Sequence, residues 1–239
     1  VVEYHPYFLS LSRVMTPTAF PQPYTTVDVV IFTVADGALR VLLSRRPPDP
    51  SEPYPATPCL PGGYIDIAQD ATLYDCALRK LREKTGFAAP YLEQLGSWGS
   101  AGRDPRGWTA THVYFALVPP PPDAAAWPQA DAACAQPLAF DHNEILRTAL
   151  ARLRSKVEYT SLPAFLLAEP FTLPQLQRVY EIILDRALDK SAFRKRTLDA
   201  GLLVEDGMTS GGFGRNAMGY RLAQRDSAIH FPRPFRSGE

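Results

Sequence analysis

Cysteine is scarce in this sequence. Cys59, Cys76 and Cys134 are its whole complement in 239 residues, and they show neither CxxC spacing nor an even count, which argues against a disulfide framework or a structural zinc site. Net charge is missing too: 25 basic residues balance 25 acidic ones, which excludes a bulk polycation but not a local basic face. No apolar run approaches the roughly 18 residues a membrane helix needs, and the opening residues lack the basic-then-apolar plan of a signal peptide. These absences lead to the expectation of a cytoplasmic protein in a reducing setting, with no membrane partner. What is present is 46% apolar residues, ample for real cores, in a chain long enough to suggest two domains.

The stretch "TVDVVIFTV" from Thr26, the turn "ADG" and then "LRVLLSRR" read as a β-hairpin. "RPPDPSEPYPATPCLPGG" holds too many prolines for regular structure and leads into a helix expected from Asp70 to Lys84, which Gly86 stops. Two more strands follow, "YLEQLGSWGS" and "ATHVYFALVP", joined by "AGRDPRG", which reads as an exposed loop. The proline and alanine segment "PPPPDAAAWPQADAACAQP" reads as a surface excursion, and His142 to Lys156 as the last helix of a first domain spanning 1–157.

The second domain, 158–239, has a different grammar. "FTLPQLQRVYEIIL" opens with Thr172 as N-cap and Gln175 at the capping-box position. "DKSAFRKRTLDAG" follows, with Asp189 as N-cap and Phe193 and Leu198 expected to face inward. "LLVEDG" and "GYRLAQ" then read as short strands around a glycine-rich loop that carries Arg215. Helix, turn, helix, strand, loop, strand is the order of a winged helix-turn-helix. Lys190 and Ser191 in the first turn, with Arg194, Lys195 and Arg196 after them, are the candidate DNA contacts of a recognition helix, and Arg215 that of a wing. A small excess of basic over acidic residues from Ser161 onward agrees only modestly, and a run such as "RKR" is commonly a solvated helix face.

The run "GGYIDIAQDATLYDCALRKLREKTGF" from Gly62 to Phe87 resembles the Nudix box, G-x5-E-x7-R-E-U-x-E-E-x-G-U with U aliphatic. Gly62, Gly63, Arg79, Leu81, Glu83 and Gly86 anchor the match, although the spacing from the glycines to Arg79 is two residues longer than the pattern and the early glutamate slot falls on Ala71. In that family the later glutamates hold magnesium against a diphosphate. Here the three positions are Lys80, Glu83 and Lys84, so one carboxylate stands where three are expected. Two unit charges about 4 Å apart interact by roughly 4 kcal/mol near a protein surface. A divalent cation would therefore be repelled, and hydrolysis is expected to be lost or much weakened. Magnesium would matter only if hydrolase activity remained.

Lysines can still neutralise phosphate directly, so Lys80, Lys84, Glu83, Arg79 and the Gly62–Gly63 turn are candidate ligand contacts. A solvated face carrying Lys80 and Lys84 is the plainer alternative. Resemblance to Nudix proteins acting on ADP-ribose adds Arg45 and Arg46, and Tyr64 and Trp98 are weaker candidates for stacking on adenine.

A degenerate box of the form "RKLREKT" followed by such a second domain resembles the Nudix-related transcriptional regulators, the NrtR family. The resemblance implies an α/β Nudix fold, a mixed sheet sandwiched by helices, followed by a winged helix-turn-helix. It also implies a homodimeric repressor that binds a palindromic operator in double-stranded DNA at genes of NAD metabolism and senses ADP-ribose or a related NAD-derived phosphate. The competing expectation is an active ADP-ribose pyrophosphatase, with Glu83 joined by Asp66, Asp70 or Asp104 in a rebuilt metal site.

Overall fold

The computed structural model describes residues 22–87, 91–210, 216–225, 227–231 and 235. Its centre is β1 (Tyr24–Ala35), buried without a break from Val27 to Thr33 because both of its faces are covered. Val27, Val29 and Ile31 share an apolar cluster with Cys76, Ala77 and Leu81 of α1 (Leu73–Thr85). Val30 and Phe32 join Ile145, Leu146, Ala149 and Leu153 of α3 (His142–Val157) on the opposite side. A strand covered on both faces reads as a continuous apolar run, not an alternating one.

β1 pairs antiparallel with β2 (Ala38–Val41) and β5 (Gly62–Tyr64) and parallel with β7 (Thr109–Leu117), which pairs antiparallel with β6 (Tyr91–Ser100). The expected hairpin turn is present, with Asp36 and Gly37 both at positive φ, as a tight two-residue turn requires. Ser44–Arg45 (β3) and Pro58–Cys59 (β4) form a two-stranded clip that brackets the proline-rich loop.

α1 begins later than the Asp70 expected from sequence: Thr72 caps it by accepting from the Asp75 backbone N–H at 3.1 Å. "AGRDPRG" is not an exposed loop, since Arg103 and Asp104 are buried by ion pairs described below. The proline and alanine segment is not a surface excursion either. It forms a short 3-10 turn and α2 (Ala130–Ala135), with Ala124, Trp127, Ala130 and Ala133 buried, and Arg40 donates to the Trp127 carbonyl at 2.6 Å. Small side chains let this segment lie close to β2 and α3.

After α3 ends at Val157 the chain makes a 3-10 turn, Leu162–Leu166, then α4 (Leu173–Leu184) and α5 (Lys190–Asp199), and closes with the hairpin of β8 (Leu203–Ser210) and β9 (Asn216–Leu222). The Thr172–Gln175 capping box is formed. Phe171 adds a bridge to Tyr220, exchanging backbone bonds of 3.0 and 2.7 Å. On α5, Phe193 faces inward as expected but Leu198 does not: it is 38% exposed, and Thr197, four residues beyond Phe193, takes the buried position. A single cluster of buried side chains runs from the α3 face of the sheet through Phe165 to Tyr180, Phe193 and Tyr220. Among the described residues no helix is long and apolar enough to cross a membrane.

Candidate functional site

The Gly62–Gly63 turn brings β5 hard against β1. A Cβ on Gly62 would lie 1.9 Å from Asp28 Oδ1, and Gly63 adopts φ 145°, a conformation closed to most other residues. Beside this turn lies a cleft of about 170 Å³ whose lining includes polar residues from β1, β5, the start of α3 and two loops, among them Asp28, Arg46, Tyr64, Arg103, Arg106 and His142.

Asp28 is the base of the cleft and the one acid in β1. Its Oδ2 accepts from Thr111 at 2.8 Å and from Arg103 at 2.9 Å, and His142 Nε2 stands 3.6 Å away. The Leu60 backbone N–H donates to His142 Nδ1 at 2.9 Å, which leaves the ring proton on Nε2, facing Asp28. Arg103 also donates to Asp141 at 2.8 Å. Burial opposes ionisation of Asp28, but the facing His142, Arg103 and Thr111 outweigh it and hold the carboxyl below its usual range.

At the rim, Arg46 donates to Glu52 at 2.6 Å and lies over the Phe140 ring. Arg106 donates to Asp104 at 2.8 Å and to Glu52 at 3.4 Å, and lies over the Tyr64 ring. Burial also works against Asp104, and the bonds from Arg106 overcome it, so this carboxyl too is held low. Arg45 is parted from Arg46 by strand alternation: it is exposed and donates to the Ala56 carbonyl. Of the aromatic candidates, Tyr64 sits half exposed in the cleft lining, whereas the Trp98 indole donates to Glu144 at 3.0 Å and borders a neighbouring groove.

The box helix α1 supplies a second polar group. Arg79 grips Asp70 through two bonds of 2.7 and 2.6 Å and Glu83 through one of 2.8 Å. The acid that meets Arg79 is thus Asp70, one position before the Ala71 that the pattern places in the early acid slot. The longer loop puts Asp70 ahead of the Thr72 cap, where its carboxylate reaches back to Arg79. The Arg79 bonds hold the Asp70 carboxyl well below the usual carboxylate range. Lys80 Nζ is 3.9 Å from Glu83 and borders Gly63, while Lys84 is exposed. Burial pushes the Cys59 thiol in the cleft wall upward.

This donor set does not suit a divalent cation. Glu83 and Asp70 are committed to Arg79, Asp104 to Arg106, and Asp66 accepts from Ala68 and Gln69 in its own loop. Among the described residues no three His, Cys, Asp or Glu side chains converge as metal ligands. Arginines are what the cleft offers, and they fit an anion.

Sequence reading missed Asp28, Arg103, Arg106, Phe140 and His142. Only Asp28 left a local signal, an acid within "VDVVIF"; the others are brought in by loops and by the start of α3 through long-range contacts.

On α5, Lys190, Ser191, Arg194 and Lys195 are exposed and form a polar face at the helix start. Arg196 departs from them: its guanidinium lies 4.2 Å over the Phe235 ring, and one of its nitrogens is buried with no hydrogen-bond partner among the described residues. Arg215 falls outside the described residues.

Comparison with known proteins follows the same division of the chain. Residues 24–158 match the NUDIX domain and residues 163–222 the NrtR DNA-binding winged helix domain. The ADPR responsive transcriptional repressor NtrR of Acinetobacter baylyi is 44% identical over 222 residues, covering 90% of this chain and 88% of the relative. Shewanella oneidensis NrtR complexed with a 27mer DNA superposes with a TM-score of 0.80 at 38% identity, over 89% of this chain and 99% of that one. The NUDIX domain of the same protein complexed with ADP ribose gives 0.51 at 39% identity, over 58% and 93%. A Nudix fold whose box has lost its metal carboxylates, continuing without a break in the core into a winged helix domain, places this chain in the NrtR family.

Proposed function

We propose that this protein is a transcriptional repressor that binds double-stranded DNA through α5 and the β8–β9 hairpin, and that ADP-ribose in the Nudix cleft modulates that binding. The observation that carries this reading is the pairing in one chain of an arginine-lined cleft, bordered at Gly63 by Lys80 where the box expects an acid, with a winged helix exposing Lys190, Arg194 and Lys195. An effector shifts an equilibrium only by its differential affinity for two arrangements, so ADP-ribose must bind the DNA-free and DNA-bound forms unequally. The A. baylyi relative, itself an ADPR-responsive repressor, supports this choice of effector. Target genes of NAD metabolism, a palindromic operator, the homodimer that two-fold half-sites call for, and a cytoplasmic location belong to the same proposal. The reading needs neither metal nor hydrolysis.

Gel retardation with DNA upstream of NAD genes tests it. Retardation that changes with ADP-ribose is expected, and retardation indifferent to ADP-ribose would refute the sensor. Release of AMP from ADP-ribose in excess magnesium should be negligible; robust turnover would favour the pyrophosphatase instead.

A further inference from the structure

The two rim arginines come from loops far apart in sequence, Arg46 after β3 and Arg106 between β6 and β7, and one carboxylate joins them. Glu52 Oε2 accepts from Arg46 at 2.6 Å and from Arg106 at 3.4 Å. Apart from the rings of Phe140 and Tyr64 beneath them, the other partners of these arginines among the described residues are local: Arg46 Nε donates to the Pro53 carbonyl and Arg106 is held by Asp104. Both arginines line the cleft, whereas Glu52 reaches them from the proline-rich loop, with its side chain 38% exposed.

That loop is organised to present Glu52. The Glu52 N–H donates to the Asp49 carbonyl at 3.1 Å and the Ala56 N–H to the Pro47 carbonyl at 3.1 Å. Tyr54 packs edge-on against Phe140, 4.8 Å between centroids, beside Arg46. Prolines limit the freedom of the backbone between these points, so little entropy is lost in holding the carboxylate. A half-exposed ion pair is weak enough to open. The positions it fills on the guanidinium groups are those that phosphate oxygens would use.

We propose that Glu52 is an internal competitor for the effector's diphosphate: it bridges Arg46 and Arg106, is displaced when phosphate oxygens take its place, and so sets the effector concentration at which the protein responds. This rests on the cleft being the ADP-ribose site, and it assigns the diphosphate to Arg46 and Arg106. Displacement removes one negative charge from the rim as a doubly charged group arrives, which limits repulsion there.

The test is calorimetric titration of ADP-ribose and, separately, inorganic pyrophosphate into the full chain and its Glu52→Gln variant, which keeps side-chain volume and removes charge. Both ligands should bind Glu52→Gln roughly two- to fivefold more tightly, the size expected for releasing a partly exposed ion pair. In an Arg46→Ala background the gain should shrink, because the shorter of the two contacts is already gone. Equal or weaker binding of pyrophosphate by Glu52→Gln would overturn the proposal, as would a gain that persists undiminished with Arg46→Ala. If pyrophosphate binds and ADP-ribose does not, the effector assignment fails while the competition is still decided by pyrophosphate.

Discussion

Asp28 shows how one residue can organise a site. A carboxylate in the middle of an apolar strand is tolerated because Thr111, Arg103 and His142 converge on it, and the same contacts draw the "AGRDPRG" loop and the start of α3 to the cleft. Removing one partner of a buried pair leaves an uncompensated charge and costs about 3–5 kcal/mol. Arg103→Met should lose stability on that scale in urea unfolding, while Arg45→Met, at an exposed strand end, should change it by less than about 0.5 kcal/mol. Asp70 gives the pH dependence. Its carboxyl is held low by Arg79 in the folded chain, so its stabilisation is fully present above the ordinary carboxylate range, near pH 4, and is lost as pH falls toward its folded value. Asp70→Asn should therefore be less stable than the parent at neutral pH and show a flatter acid limb in unfolding midpoint against pH. Its pairing with Arg79 was not legible in the box pattern, because a pattern counts residues whereas a side chain closes a gap in space.

The helices show which local signals survive folding. The α4 capping box and the Asp189 cap of α5 were legible because capping is a contact over three residues. Leu198 was misplaced, since the inward face of α5 is chosen by what packs on it, Tyr180 against Phe193 and Phe235 against Arg196. α2 went unread for a similar reason: alanines carry little periodic signal until a neighbouring sheet covers them. On α5, Arg194→Ala and Lys195→Ala should each weaken DNA binding across sequences and reduce the salt slope by about one. Arg196→Ala should instead lower thermal stability, by loss of its contact with Phe235. On α1, where Lys80 borders the cleft at Gly63, the double change Lys80→Glu with Lys84→Glu should weaken the response to ADP-ribose in gel retardation while DNA is still bound.

Across the whole molecule the apolar core does not stop at the change of domain. Tyr180 donates to the Thr160 carbonyl at 2.7 Å, Arg154 of α3 donates to the Ile183 carbonyl of α4 at 3.2 Å and to Asp131 at 2.8 Å, and Phe235 bonds the Glu158 carbonyl at 2.8 Å. α3 thus touches the cleft at His142 and holds the winged helix domain near its other end. A shared core of this kind should unfold as one unit, so near-ultraviolet and far-ultraviolet signals should give coincident thermal transitions. ADP-ribose at a hundredfold excess over its Kd should raise that single midpoint, by about 2.7 kcal/mol of added stability, if it binds only the folded chain. Two separated transitions, only the first of them moved by ADP-ribose, would show that the domains unfold independently.

By itself the sequence determined the family, the first hairpin, the helices other than α2 and the exchange of box acids for lysines, because each is written in short-range patterns: strand runs, helix caps, and lysines where the box expects acids. Tertiary structure alone decided that Asp28, Arg46, Arg103, Arg106 and His142 meet in one cleft, that Arg45 stands apart from it, and that Arg196 turns to Phe235. Those outcomes depend on residues tens of positions apart competing for the same buried charges and surfaces, and local spacing holds no record of which partner wins.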